Sequence, residues 1–191
     1  MRRQTIMRIG IAVSLISALV VGRADVGFAH VRATAPPSAS LTGRPPAVAF
    51  RYTDTLKFSN WIEHGCLSDD RYAIYVGGCI AAPDAMTRWG FTQDYIDGVD
   101  GNEVGTFQNQ YSGSCLDDSA EFGLRDYYCH QAGDPSRGHQ QFKRTYNRQR
   151  GYYVLQNMVT GSCVDYSRAY GLRGYYCLPN DYFQAWVPLA F

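Results

Sequence analysis

From about residue 55 onward the apolar positions fall in short runs dominated by Val, Ile, Tyr, Phe and Thr, and Gly or Asn interrupts them every few residues. That pattern predicts short β-strands rather than helices. The stretch YYVLQNMVTGSCVDY (152–166), for instance, predicts two strands joined by a tight turn at Thr160-Gly161. The N-terminus is patterned differently. Arg2, Arg3 and Arg8 precede an apolar run from Ile9 to Val21 and small residues follow it, the layout of a secretory signal peptide. The run is too short to span a bilayer, so stable membrane insertion is not expected. The expected leader is 1–29, with cleavage after Ala24 or Ala29, and residues 30–54, rich in Pro, Ala, Ser and Gly, predict a flexible lead-in.

Within the strand-rich part the pattern repeats. SCLDDSAEFGLRDYYC begins at Ser114 and SCVDYSRAYGLRGYYC at Ser162, 48 positions later. The cysteines keep one rhythm: Cys66 and Cys79, Cys115 and Cys129, Cys163 and Cys177. Asn60, Asn109 and Asn157 stand six residues before each first cysteine, and Phe58, Phe107 and Leu155 two residues earlier still. A late aromatic closes each unit: Trp89 or Phe91, then Phe142, then Trp186. Three repeats follow, at about 55–104, 105–150 and 151–191. No single unit buries its apolar face alone, so the expected fold class is an all-β, closed threefold assembly.

Six cysteines in an exported chain imply disulfides, with fifteen formal connectivities. The residues between the cysteines of one repeat predict a hairpin turning near Ser119 to Gly123, which brings its flanking cysteines together. The expected pairs are Cys66-Cys79, Cys115-Cys129 and Cys163-Cys177.

The motifs G-S-C-L-D (Gly113 to Asp117), G-S-C-V-D (Gly161 to Asp165), aromatic-x-Cys (Tyr127, Tyr175) and Q-A-W (Gln184 to Trp186) together resemble the ricin B-type lectin family. The resemblance covers about residues 55–191 and implies a twelve-stranded β-trefoil with up to three shallow sugar pockets. It also implies that Asp117 with Tyr127, and Asp165 with Tyr175, contact the sugar. A hairpin with Cys115 facing Cys129 would put Asp117 opposite Tyr127 on one face, and Asp165 opposite Tyr175. A carboxylate beside a ring suits a sugar, since it accepts adjacent hydroxyls while the ring covers the C–H face. The competing reading is structural: Tyr packing across strands, Asp bonded to local backbone. Arg125 and Arg173 replace the polar residue common in the family, and offer donors to a hydroxyl or an acidic sugar, or pair with the neighbouring Asp. His139 stands before the Gln of the second repeat and Phe183 before that of the third, so site two looks more complete. Gln140 and Gln184 are expected to brace the pockets. Repeat one, with Ser68 for Asp and Gly77 for the aromatic, is expected to serve the fold.

Charge and catalytic motifs narrow the reading. The leader holds four Arg and one Asp, which leaves 14 basic and 16 acidic side chains in the remainder. That balance argues against a nucleic-acid partner. No G-x-S-x-G or H-E-x-x-H occurs, His30, His64, His130 and His139 lack metal spacing, and no carboxylate pair is placed for glycoside hydrolysis. The expectation is a secreted, non-enzymatic module without cofactor that binds glycans or polysaccharide. The alternative is a secreted trefoil that contacts protein, as an inhibitor or as the targeting subunit of a separate toxin or enzyme. In that case the loops Tyr95 to Gly105 and Asp134 to Gln140 would serve it.

Overall fold

The computed structural model describes residues 52–80 and 84–190. The expected leader and the lead-in through residue 51 lie outside the described residues. Twelve strands follow in order: β1 (Asp54–Asn60), β2 (Gly65–Asp69), β3 (Ile74–Gly78), β4 (Trp89–Ile96), β5 (Glu103–Asn109), β6 (Cys115–Ser119), β7 (Gly123–Tyr127), β8 (Phe142–Asn147), β9 (Tyr152–Asn157), β10 (Ser162–Ser167), β11 (Gly171–Tyr176) and β12 (Trp186–Leu189). Each repeat supplies four. Strands β1, β4, β5, β8, β9 and β12 pair in that order, and β12 returns to β1. This closes a barrel without free edges. The remaining strands form hairpins β2–β3, β6–β7 and β10–β11, each joined to the preceding barrel strand in the same register: Ser59↔Cys66, Gln108↔Cys115, Gln156↔Cys163. The fold is the all-β β-trefoil that the repeats imply.

The recurring asparagines explain how the lobes lock. The Oδ1 atoms of Asn60, Asn109 and Asn157 each accept two backbone N–H groups of the following turn at 2.9–3.2 Å. Each Nδ2 donates to a carbonyl of the preceding lobe: Asn109 to Met86 (2.8 Å), Asn157 to His139 (2.7 Å) and Asn60 to Phe183 (2.9 Å). The third link runs from lobe one back to lobe three, so the circle closes. All three are buried, where an unpaired amide would cost about 1–3 kcal/mol.

The core sits inside the barrel and under the hairpins. Phe58, Phe107 and Leu155 meet Leu67, Leu116 and Val164, and the closing aromatics Trp89, Phe142 and Trp186 pack against both sets. Each closing aromatic faces the buried asparagine of the adjoining lobe: Trp89↔Asn109, Phe142↔Asn157, Trp186↔Asn60. Trp89 is thus the lobe-one anchor, and Phe91 is an additional core ring. The indole N–H of Trp89 donates to Leu67 O (3.0 Å) and that of Trp186 to Val164 O (2.8 Å).

The disulfides join Cys66 to Cys79, Cys115 to Cys129 and Cys163 to Cys177, with Cα–Cα distances of 4.9–5.0 Å. Each closes a loop of about 15 residues. Replacing Cys163 and Cys177 together by serine is expected to cost about 3 kcal/mol, read as a lower midpoint in urea unfolding.

A second carboxylate in the hairpins ties neighbouring lobes. Asp118 accepts hydrogen bonds from Thr160 Oγ1 (2.6 Å) and Ser162 Oγ of lobe three. Asp69, at the same place in lobe one, accepts from Ser112 Oγ of lobe two. Burial pushes the Asp69 carboxyl above its ordinary range, against the pull of Ser112 and the Arg71 amide, and the charge of Asp126 adds to the rise. The folded state therefore disfavours the charged form, so this contribution to stability is full in acid and is lost as pH rises through the raised value. Asp69→Asn keeps Oδ1 as the acceptor for the Arg71 N–H and presents Nδ2 as a donor to Ser112 Oγ, which can accept it. It is expected to melt higher than the parent at neutral pH, with the gap closing below the ordinary carboxylate range in a pH series of thermal melts.

The two segments read from the sequence as long loops are largely ordered elements. β4 continues to Ile96 and β5 begins at Glu103, so the first narrows to a turn. Lys143 Nζ holds that turn through Asp97 (3.3 Å) and Asp100 (2.8 Å), and this lowers the Asp100 carboxyl to about 2. The second is a 3-10 turn, Pro135–Gln140, capped by Asp134, whose Oδ1 accepts Ser136 N–H at 2.8 Å.

Candidate functional site

The stretch Gly-Leu-Arg, spelled in two hairpins, has one task per residue. Gly123 (φ 68) and Gly171 (φ 73) adopt the left-handed conformation that closes each hairpin tightly. Leu124 and Leu172 pack on the core. Arg125 and Arg173 lie on the outward face, each opposite an aspartate: Asp117↔Arg125 and Asp165↔Arg173.

This register corrects the expectation that Asp117 stands opposite Tyr127 and Asp165 opposite Tyr175. Tyr127 faces Cys115 and Tyr175 faces Cys163, while Cys129 and Cys177 lie beyond the strand ends. The turn sets the register, closing at Ser119↔Gly123 in lobe two and Ser167↔Gly171 in lobe three. The disulfide reaches across the resulting two-residue offset, since cysteine side chains span a range of Cα separations. Period-2 alternation still holds, so aspartate, arginine and tyrosine share one face with the arginine in the middle.

In lobe two, Arg125 Nε donates to Asp117 Oδ1 at 2.9 Å, and Gln140 Nε2 donates to Asp117 Oδ2 at 3.3 Å. Gln140 Nε2 also donates to Tyr128 O (2.8 Å), and its Oε1 accepts His130 N–H (2.8 Å). Lobe three repeats the arrangement. Arg173 Nε donates to Asp165 Oδ1 (2.9 Å), Gln184 Nε2 to Asp165 Oδ2 (3.4 Å) and Tyr176 O (2.7 Å), and Gln184 Oε1 accepts Leu178 N–H (3.0 Å). The Asp117 and Asp165 side chains are 2% and 3% exposed. Their oxygens are occupied beneath the guanidinium, which does not leave them open to sugar hydroxyls as the sequence reading proposed.

What faces solvent instead is a shelf of two rings with a guanidinium between them. The Arg125 guanidinium lies 4.3 Å from the Phe122 ring centre and 4.2 Å from that of Tyr127. Arg173 lies 4.5 Å from Tyr170 and 4.1 Å from Tyr175. Such contacts contribute about 0.5–2 kcal/mol each, more as water is excluded. Phe122, Tyr170 and Tyr175 are exposed, and the two arginine side chains are about 30% exposed. Over the lobe-two shelf lies a hollow of about 440 Å³, rimmed by Ser119, Glu121, Ser136 and His139. His139 Nδ1 lies 3.1 Å from Asp118 O, which holds the ring at that rim. The phenol of Tyr128 is pushed above the ordinary tyrosine value, chiefly by its hydrogen bond with Tyr127, so it stays neutral at physiological pH. In lobe three Tyr175 also borders a hollow of about 310 Å³ with Thr160, Ser162 and Tyr176. Phe183, the counterpart of His139, is 38% exposed.

Lobe one carries none of this. Ser68 donates to Cys66 O (3.0 Å) in place of the aspartate, Tyr75 stands opposite it in place of the arginine, and Gly77 faces Cys66. Thr87, two residues before Trp89 where the glutamine would stand, turns its hydroxyl to Asp84 O (2.9 Å).

The sequence reading missed Phe122 and Tyr170 as the second ring of each shelf. Their signal was present, since an aromatic precedes Gly-Leu-Arg in both repeats.

No protein-family model matches the chain, and no curated protein sequence matches it. Solved structures do. The designed threefold-symmetric protein ThreeFoil is 17% identical over 72% of this chain and 99% of its own, with TM-score 0.53. The Haemophilus ducreyi cytolethal distending toxin is 16% identical over 76% of this chain and 88% of its own, with TM-score 0.52. The Polyporus squamosus lectin, solved bound to Neu5Acα2-6Galβ1-4GlcNAc, is 15% identical over 73% of this chain and 50% of its own, with TM-score 0.54. At 15–17% identity these likenesses establish the β-trefoil fold.

Proposed function

We propose that the chain is a secreted, non-catalytic carbohydrate-binding module of ricin B-like type that holds glycans on the ring–arginine–ring shelves of lobes two and three. The observation that carries this reading is recurrence with contrast. Phe122–Arg125–Tyr127 and Tyr170–Arg173–Tyr175 match in partners and within about 0.2 Å in spacing, whereas lobe one replaces every polar member. Packing needs alone would have kept the same chemistry in all three lobes.

In this reading the rings cover the C–H faces of a sugar and the Nη groups donate to its oxygens, with His139 and Ser136 closing the lobe-two pocket. Asp117, Asp165, Gln140 and Gln184 hold the arginines in place from beneath. Two shallow sites on one rigid trefoil engage a repeating polysaccharide together, so retention exceeds what either site achieves alone. Export through the 1–29 leader and an oxidising destination accord with three disulfides.

The test is retention of the purified chain on an immobilised glycan panel, compared with Phe122→Ala plus Tyr170→Ala. Those rings are 58% and 70% exposed, so the fold tolerates their loss. The expected result is a drop in affinity of about tenfold or more for whichever glycan the parent retains, with a melt lowered by only a few degrees as the two exposed ring–arginine contacts are lost. Undiminished retention by the double variant contradicts the assignment. A second reading, docking on a protein as an inhibitor or as the targeting subunit of a toxin or enzyme, draws on the toxin among the structural neighbours. A blank panel with capture of a protein partner would favour it.

A further inference from the structure

Resting on the glycan reading above, we infer that the ligand group seated on Arg173, and less strongly on Arg125, is the carboxylate of an acidic sugar. A neutral sugar hydroxyl both donates and accepts, so a site made for it offers acceptors as well as donors. Here the acceptors directly beneath each shelf are spent, while the rim of the lobe-two hollow keeps the oxygens of Ser119, Glu121 and Ser136. Both carboxylates lie beneath their arginines, 2% and 3% exposed, with each oxygen already accepting a hydrogen bond. The carboxamides of Gln140 and Gln184 use Oε1 and Nε2 internally.

The guanidinium is equally constrained. Nε is taken by aspartate, and rings lie over it at 4.1–4.5 Å. Among the described residues neither arginine makes a further hydrogen bond. What remains is the planar Nη edge, a fork of parallel N–H groups matched to a carboxylate and satisfied by acceptors alone. The rings on the guanidinium reduce its contact with water, leaving about 30% of the side chain exposed, and a less hydrated fork attracts an anion more strongly.

The lobes differ in what stands beside the fork. Glu121 lines the lobe-two pocket and opposes an anion, whereas its counterpart in lobe three is Ala169. Lobe three is accordingly the principal acidic site. The attraction is local rather than a property of the whole surface, because the residues after the leader carry 16 acidic side chains against 14 basic.

Two matched pairs of probes isolate the charge: oligogalacturonate against its methyl ester, and sialyllactose against lactose. Binding of the purified chain is measured by calorimetry at low and high salt. The expected result is that an acidic member binds about tenfold or more tightly than its neutral partner, and that salt erodes the difference. Arg173→Gln removes most of that preference, and Arg173→Gln with Arg125→Gln removes all of it. If the glutamine variants melt early, Arg173→Lys keeps the charge without the fork and lowers the preference without abolishing it. Neutral members that bind as tightly as acidic ones in both pairs, or a preference that survives in the double variant, overturn the inference alone. A chain that binds no member of either pair and no glycan on the panel overturns the carbohydrate reading itself.

Discussion

Asp117→Ala combined with Asp165→Ala is expected to abolish glycan retention and to lower stability at the same time, although on the proposed shelf neither carboxylate touches ligand. Each aspartate accepts the Arg Nε–H at 2.9 Å and holds a buried glutamine. Removing it leaves the guanidinium without its anchor and frees the side chain to leave the space between the rings. A hydrogen bond to a charged group is worth about 1.5–3 kcal/mol. About a third of each arginine is in water, which discounts the loss to about 1–2 kcal/mol per site. Urea unfolding and panel retention of the same variant read both effects. Lost retention with unchanged stability would mean that the carboxylates contact the sugar directly, and the account of the shelf would be wrong.

Trp186→Ala is expected to cost about 3–5 kcal/mol, with a melting temperature lower by about 10 °C or more. Trp186 is fully buried, its indole N–H donates to Val164 O, and its backbone position faces Asn60, through which lobe three is joined to lobe one. The truncation therefore opens a cavity, orphans a carbonyl and loosens the seam that closes the barrel. Trp186→Phe should lose far less, since Phe142 fills the equivalent place in lobe two. A melt of the alanine variant within about 2 °C of the parent would contradict the place assigned to the closing aromatics.

How much of this was legible in the chain depended on whether a residue answers to local or distant partners. The threefold repeat and the disulfide pairs were readable because cysteine spacing and strand periodicity are local. The arginine–aspartate register was not. A disulfide tolerates a two-residue offset, so pairing the cysteines did not fix which side chains face each other. The turn did, through Gly123 and Gly171 with their positive φ. Phe122 and Tyr170 escaped notice because they lie in turns, where the alternation argument stops. Asp118 adjoins Asp117 in the sequence, but its partners Thr160 and Ser162 are 42 and 44 residues distant. Asn60, Asn109 and Asn157 stood out by position, while their work of tying one lobe to the previous one needed the closed barrel to be seen.

Sugars seated on the two proposed ring–arginine–ring shelves would be reported by the arginine side chains themselves. In a titration of isotope-labelled chain with the best-retained glycan, followed by NMR, the Nε–H signals of Arg125 and Arg173 should shift together with the amides of Phe122, Tyr127, Tyr170 and Tyr175. Shifts confined to lobe one, or to the hollow bordered by Trp61, Ile62 and Leu189, with both arginine signals unmoved, would contradict that seating.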